Sequence, residues 1–256
     1  SIPISQSAIP YSSKDEFDLS GNSDYKFFRD KPLFKSVNGD YIVHSQPLLT
    51  DRIYSSLYFD FKNISKQLNE NHPDIGNLFT SEFVEKTLFV SQMKSCTSLD
   101  IIDSLDENEL KKRYKIKNGE LGYPDYYIKT RDSVILFECK DIRINAWIKE
   151  QRDFTIIEEE LRNKLVCKTY QIDYKNHCHK PIAPKRIGCG QLAGHVANIR
   201  NGVFPWDSPL SREVKIYSVL VIADNRLLVD GLTSILQRWY LECLCKEGLN
   251  IIKENP

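Results

Sequence analysis

With 256 residues, 41% of them hydrophobic, the chain has an ordinary globular composition and enough apolar material for one substantial core. Its 35 basic and 35 acidic side chains cancel, which excludes a global positive field toward nucleic acid, so any such contact must be local. No window is apolar for long enough to span a bilayer, the polar opening SIPISQSAIPYSSKDEFD lacks a signal-peptide core, and seven scattered cysteines read as buried thiols; a reducing, cytoplasmic setting is expected.

Residues 1–30 are polar, carry Pro3 and Pro10 without a sustained period, and read as an arm or linker with little regular structure. The opening Ser, in place of Met, leads to the expectation of a domain cut from a longer protein or of a processed chain. Residues 31–75 read as a small leading module packed on the core. Within it, Asn38-Gly39 between two apolar segments predicts a hairpin over 32–43, and Leu49, Ile53, Leu57 and Phe61 give 48–68 helical spacing. Phe83, Val84, Leu88 and Val90 predict a helix over 81–93 with Thr80 or Ser81 as its N-cap, and Glu82 and Glu85 share one of its faces. Over 110–117, Tyr114 and Ile116 alternate with basic residues and read as a strand.

The stretch Gly122–Asp141 carries the chemistry. Tyr126–Ile128 and Val134–Phe137 read as strands of a hairpin, and a two-residue loop at Arg131-Asp132 sets Asp125 directly opposite Glu138. Glu138 and Lys140 are two apart, so both project from one face while Cys139 points away. Burying two acids and an ammonium for stability alone is unfavourable, because each charge loses hydration. A hard divalent cation changes that balance: Mg²⁺ takes oxygen ligands and is usually held by one or two carboxylates with waters and phosphate oxygens.

Beyond Asp141, Trp147, Ile148, Phe154, Ile157, Leu161 and Leu165 predict an amphipathic helix over 146–166, followed by a loop over 174–190; the two read as an insertion. The loop holds His177, Cys178 and His179, with Cys167 before and Cys189 after, but the spacings match no paired zinc pattern. Lys180, Lys185 and Arg186 there are suited to phosphates, as is the basic run 111–117. Residues 190–199 open a helix with Leu192, Val196 and Ile199 on one side and Gln191 and His195 on the other. Val214–Ala223 is the most strand-like run and reads as a fourth core strand covered on both faces, after which Asp230 is expected to cap a closing helix through Trp239 and Leu244.

Pro124-Asp125 followed by Glu138-Cys139-Lys140, with the apolar run Val134–Phe137 ahead of the acid, resembles the PD-(D/E)xK nuclease superfamily, the restriction-endonuclease-like fold. The resemblance spans roughly 78–249 and implies an α/β protein: a core with a central mixed sheet (α-β-β-β-α-β) flanked by helices, over 76–256, behind an N-terminal extension. It implies a metal-dependent nuclease with Mg²⁺ or Mn²⁺ as cofactor, acting on nucleic acid, DNA in preference to RNA, and leaving a 5′-phosphate and a 3′-hydroxyl. Carried onto these residues, Asp125, Glu138 and the backbone carbonyl of Cys139 would hold the metal, and Lys140 would orient or deprotonate the attacking water. Glu85, in Phe83-Val-Glu85, would be the helix acid, with Glu82 as alternate, and Gln191 the glutamine placed near the metal in many members. The implied setting is an effector or restriction subunit of prokaryotic antiviral defence, as a homodimer or in a larger complex through an upstream domain or partner. The alternatives are an inactive member of the fold that only binds nucleic acid or protein, and a structural domain whose acid-x-lysine triplet lies on its strand by chance.

Overall fold

The computed structural model describes residues 8–10, 32–53, 58, 64, 78–96, 101–114, 122–144, 148, 153–173, 178–204, 214–224, 227 and 229–249, and the chain divides into two compact units, 1–79 and 80–256. In the first unit β1 (Ala8–Pro10) pairs parallel with β2 (Leu33–Lys35), which pairs antiparallel with β3 (Tyr41–Val43). The β2–β3 hairpin turns where Asn38-Gly39 predicts it, with Gly39 at φ 90°, a left-handed conformation open to a residue without a Cβ. The strand β1 falls in the arm expected to be irregular; three residues are too few to show a hydrophobic period. Residues 46–53 are helical, and most of the predicted continuation to 68 lies outside the described residues.

The second unit is built on a mixed four-stranded sheet in the order β4 (Asp103–Asp106), β5 (Tyr126–Lys129), β6 (Ser133–Lys140), β9 (Lys215–Ile222). The first three strands form an antiparallel meander and β9 runs parallel to β6. Alternation along β6 sorts its side chains between two cores. Val134 and Leu136 pack with Leu192, Val196 and Ile199 of α4 (Cys189–Arg200) and with Cys243 and Leu244 of α5 (Leu232–Lys246). Ile135, Phe137 and Cys139 turn to the other face, where Phe89 of the helix α1 (Leu78–Phe89 and Val90–Ser95) meets Tyr126 and Ile128. Helices therefore cover both faces of β6, and its central place positions the end that carries the acid and the lysine.

The helix α1 corrects the sequence reading. It runs as a wide, π-type coil over Leu78–Phe89 and continues as regular α-helix over Val90–Ser95, so neither Thr80 nor Ser81 caps it. Its buried side chains are Phe79, Val84 and Phe89, spaced by five, while Phe83 and Leu88, two of the apolar residues that predict the helix, are 44% and 42% exposed. The strand expected over 110–117 is instead α2 (Glu107–Arg113). The reason is a capping box: the Glu109 N–H donates to Asp106 Oδ1 at 2.9 Å and the Asp106 N–H donates to Glu109 Oε2 at 2.8 Å. That local signal outweighs the alternation; residues 115–117 lie outside the described residues.

The insertion differs too. Its helix α3 spans Phe154–Leu165, with Asp153 Oδ1 accepting the Thr155 N–H at 2.8 Å; β7 (Cys167–Asp173) follows, and it pairs with β8 (Cys178–Arg186), which occupies most of the stretch expected to be a loop. Pro181 and Pro184 each lack an N–H for the ladder, but a two-stranded ribbon is all edge, where that is tolerated. The strand β9 is the fourth of its sheet as expected, yet none of its residues is fully buried and Tyr217 is 50% exposed. Asp230 does not cap α5; Gly231, at φ 84°, takes that place. All seven cysteines are free, with Cys139, Cys189 and Cys243 buried and Cys96, Cys178 and Cys245 exposed against expectation. Among the described residues, no helix is long and apolar enough to cross a membrane.

Candidate active site

Hairpin register brings the acids together. Tyr126 lies opposite Phe137 and Lys129 opposite Val134, and the Thr130 N–H donates to the Ser133 carbonyl at 2.9 Å, leaving Arg131-Asp132 as the loop that the sequence predicts. Asp125, one residue ahead of β5, therefore sits across from Glu138, and its Oδ2 accepts the Cys139 N–H at 2.7 Å. Lys140 Nζ lies 3.1 Å from Glu138 Oε2 and 3.6 Å from Asp125 Oδ2. The three predicted charged groups converge.

Glu138 continues the apolar row Val134, Leu136 and is fully buried. Such a carboxylate needs partners, and His195 of α4 supplies one, its Nε2 3.0 Å from Oε1. Burial pushes the Glu138 carboxyl upward, but the His195 hydrogen bond and the Lys140 charge outweigh it and hold the group below the usual carboxylate range. Asp125 goes the other way: burial and the Glu138 charge push it up to about 7, against the pull of Lys140 and the Cys139 N–H. Burial alone would lower Lys140, yet Glu138, Asp125 and Glu85 around it hold it above its ordinary value. Lys140 is accordingly an ammonium, suited to hold charge and donate hydrogen bonds; it has no lone pair with which to deprotonate water.

The two candidate helix acids separate cleanly. Glu82 is exposed and paired with Lys86 at 2.7 Å. Glu85 is half-buried, accepts the Asp141 N–H, and feels Lys140 and Glu138; burial raises its carboxyl above the usual range. Gln191 is engaged within its own helix. Its Oε1 accepts the Gly188 N–H at 3.0 Å and closes the N-terminus of its own helix. One turn later His195 takes the contact with the site. Both residues lie on one helical face, and only burial at His195, 4% exposed, distinguishes them.

The donors suit a hard cation. Glu138 Oε2 is buried without a hydrogen bond, its approach to Lys140 being an ion pair off hydrogen-bonding geometry, and the Asp125 side chain beside it keeps 20% exposure toward solvent. Two neighbouring carboxylates, one with raised proton affinity, favour added positive charge. Among the described residues no three His, Cys, Asp or Glu side chains form a ready-made metal cluster, and Mg²⁺ needs only one or two carboxylates. Burial pushes the Cys139 thiol up to about 12, so its carbonyl alone is a candidate ligand. Cys178 and His179 are exposed on β8, and His177 lies outside the described residues. No family model matches the sequence, and no curated protein or solved structure is significantly similar to it.

Proposed function

We propose that this chain is a metal-dependent nuclease with a restriction-endonuclease-like core, hydrolysing phosphodiester bonds of nucleic acid, DNA in preference to RNA. The supporting observation is the convergence of Asp125, Glu138 and Lys140 at the end of β6, with Lys140 Nζ within 3.6 Å of both carboxylates. Asp125 and Glu138 would hold Mg²⁺ or Mn²⁺, with the Cys139 carbonyl and Glu85 as further oxygen donors; a bound ion supplies an acidified water and a polarised phosphoryl oxygen. Lys140 orients the nucleophilic water by hydrogen bonding and offsets the negative charge that grows on the phosphate. His195 turns Glu138 so that Oε2 faces the metal side. A cytoplasmic setting in antiviral defence, with an upstream domain or partner that gates cleavage, completes the reading.

The test is incubation of plasmid and single-stranded DNA with the wild type and Lys140→Ala in Mg²⁺, Mn²⁺ or EDTA. Cleavage by the wild type with metal, none in EDTA, and a loss of at least about 100-fold in the variant at unchanged unfolding midpoint are expected. Equal cleavage by both proteins removes the mechanism. Nucleic-acid binding with no cleavage in either metal favours the inactive binding module.

A further inference from the structure

The hairpin β7–β8 is left over once the site is accounted for, and its charge pattern is unusual. Its strands hold Lys168, Lys180, Lys185 and Arg186 against the single acid Asp173, a surplus of three positive charges in a chain whose net charge is zero, so the rest of the chain carries the opposite excess. Cross-strand register sets Lys168 directly opposite Lys185, and Cys167 opposite Arg186. Like charges facing each other across an antiparallel pair destabilise it. Arg186 is matched by Glu247 at 2.7 Å, but among the described residues neither Lys168 nor Lys185 forms an ion pair. Glu160, a buried acid that touches β7, is engaged elsewhere: it accepts the Tyr170 hydroxyl at 3.0 Å and pairs with Lys164 at 3.2 Å.

Shape points the same way. Every residue of β8 except Ile182 is exposed, so this strand stands in solvent, while β7 is tied to α3 by Asn163, whose Oδ1 accepts the Thr169 N–H at 2.8 Å. Nine residues at about 3.4 Å each reach about 30 Å, and two strands about 4.8 Å apart fit a duplex major groove about 12 Å wide. His179 stacks on Tyr170 at 4.2 Å, a cross-strand contact that stiffens the pair. The root of the ribbon adjoins the site: Arg186 packs so closely on α4 that a Cβ at Gly194, next to His195, would come within 2.8 Å of its Nη1.

We propose that the β7–β8 ribbon is the substrate-gripping arm, which binds the phosphodiester backbone of a nucleic-acid duplex through Lys168 and Lys185. This assignment of a substrate surface rests on the nuclease reading for its purpose, though its binding step needs no metal. The experiment is equilibrium binding of the full chain to a fluorescent 30-base-pair DNA duplex and to one of its strands, in EDTA, across a salt series. The proteins compared are the wild type, Lys168→Ala/Lys185→Ala and Lys168→Arg/Lys185→Arg. Removing two phosphate contacts makes the slope of log affinity against log salt shallower by about 1.8, so between 50 and 200 mM salt the alanine variant loses about 12-fold less affinity than the wild type. The arginine variant keeps the wild-type slope, and the single strand binds more weakly than the duplex. A wild-type slope in the alanine variant, no duplex binding by the wild type, or equal lysine-dependent binding of single strand and duplex overturns the proposal. Mn²⁺ binding and plasmid cleavage, measured on the same proteins, keep the two readings apart. Cleavage with an unchanged slope sinks the ribbon alone, and a shallower slope without metal binding or cleavage sinks the nuclease alone.

Discussion

Asp125→Asn should make the metal-free protein more stable at neutral pH while destroying its capacity to bind a cation. In the folded chain the Asp125 carboxyl is pushed from an ordinary 3.8 up to about 7, chiefly by burial and by the neighbouring Glu138 charge. An acid whose proton affinity rises on folding contributes stability that is present below its unfolded pKa and lost as pH climbs through the folded one. Between pH 4 and pH 7 the folded state keeps a proton that the unfolded chain has released, so stability falls by about 1.4 kcal/mol per pH unit from this group. Over that window the loss approaches 4 kcal/mol, an upper figure because the side chain keeps 20% exposure. Asparagine carries no charge and can still accept the Cys139 N–H, so about 2–3 kcal/mol of the loss should return at pH 8. Urea unfolding of both proteins in EDTA at pH 4, 6 and 8 measures this directly. The variant's advantage should grow with pH and disappear when saturating Mn²⁺ is added, because only the wild type gains from the ion. If the variant is no more stable than the wild type at pH 8, Asp125 is not a strained charge and the electrostatic account of the site fails.

Three further outcomes follow from the geometry. Glu85→Gln should weaken Mn²⁺ binding about 10-fold by calorimetry, whereas Glu82→Gln, whose side chain pairs with Lys86, should leave it unchanged. His195→Phe removes the donor to Glu138 Oε1 and should weaken Mn²⁺ binding about 10-fold and lower stability by about 1–3 kcal/mol, with His195→Gln recovering most of both. Gly190→Ala would drive a Cβ to 2.3 Å from the Val166 carbonyl oxygen, so circular dichroism should record a clear fall in melting temperature.

The parts of this fold that could be read beforehand are those set by short-range rules acting without competition. Alternating side chains and a polar two-residue loop suffice to register β5 against β6, and hence to place Asp125, Glu138 and Lys140 together. Where two local signals compete, the pattern misleads: Tyr114 alternates with its neighbours, but Asp106 and Glu109 close a helix start just before it. In α1 the apolar residues fit a regular helical period as written, but the structure winds a wider coil that buries Phe79, Val84 and Phe89 and turns Glu85, not Glu82, toward Lys140. The exchange of roles between Gln191 and His195 is of the same kind. Nothing local separates two polar residues one turn apart, and the outcome depends on a strand 57 positions away.

The parallel pairing of β6 with β9 bears on how this protein assembles. The β5–β6 hairpin joins neighbours in the chain, so the meeting of the acids and the lysine needs only a short loop to close. Enclosure comes later, when everything from Asp141 to Val214 has looped back so that α4 and β9 can dock. Burial of Glu138 therefore rests on long-range closure, since both His195, its hydrogen-bond partner, and Leu220, its neighbour on β9, lie far along the chain.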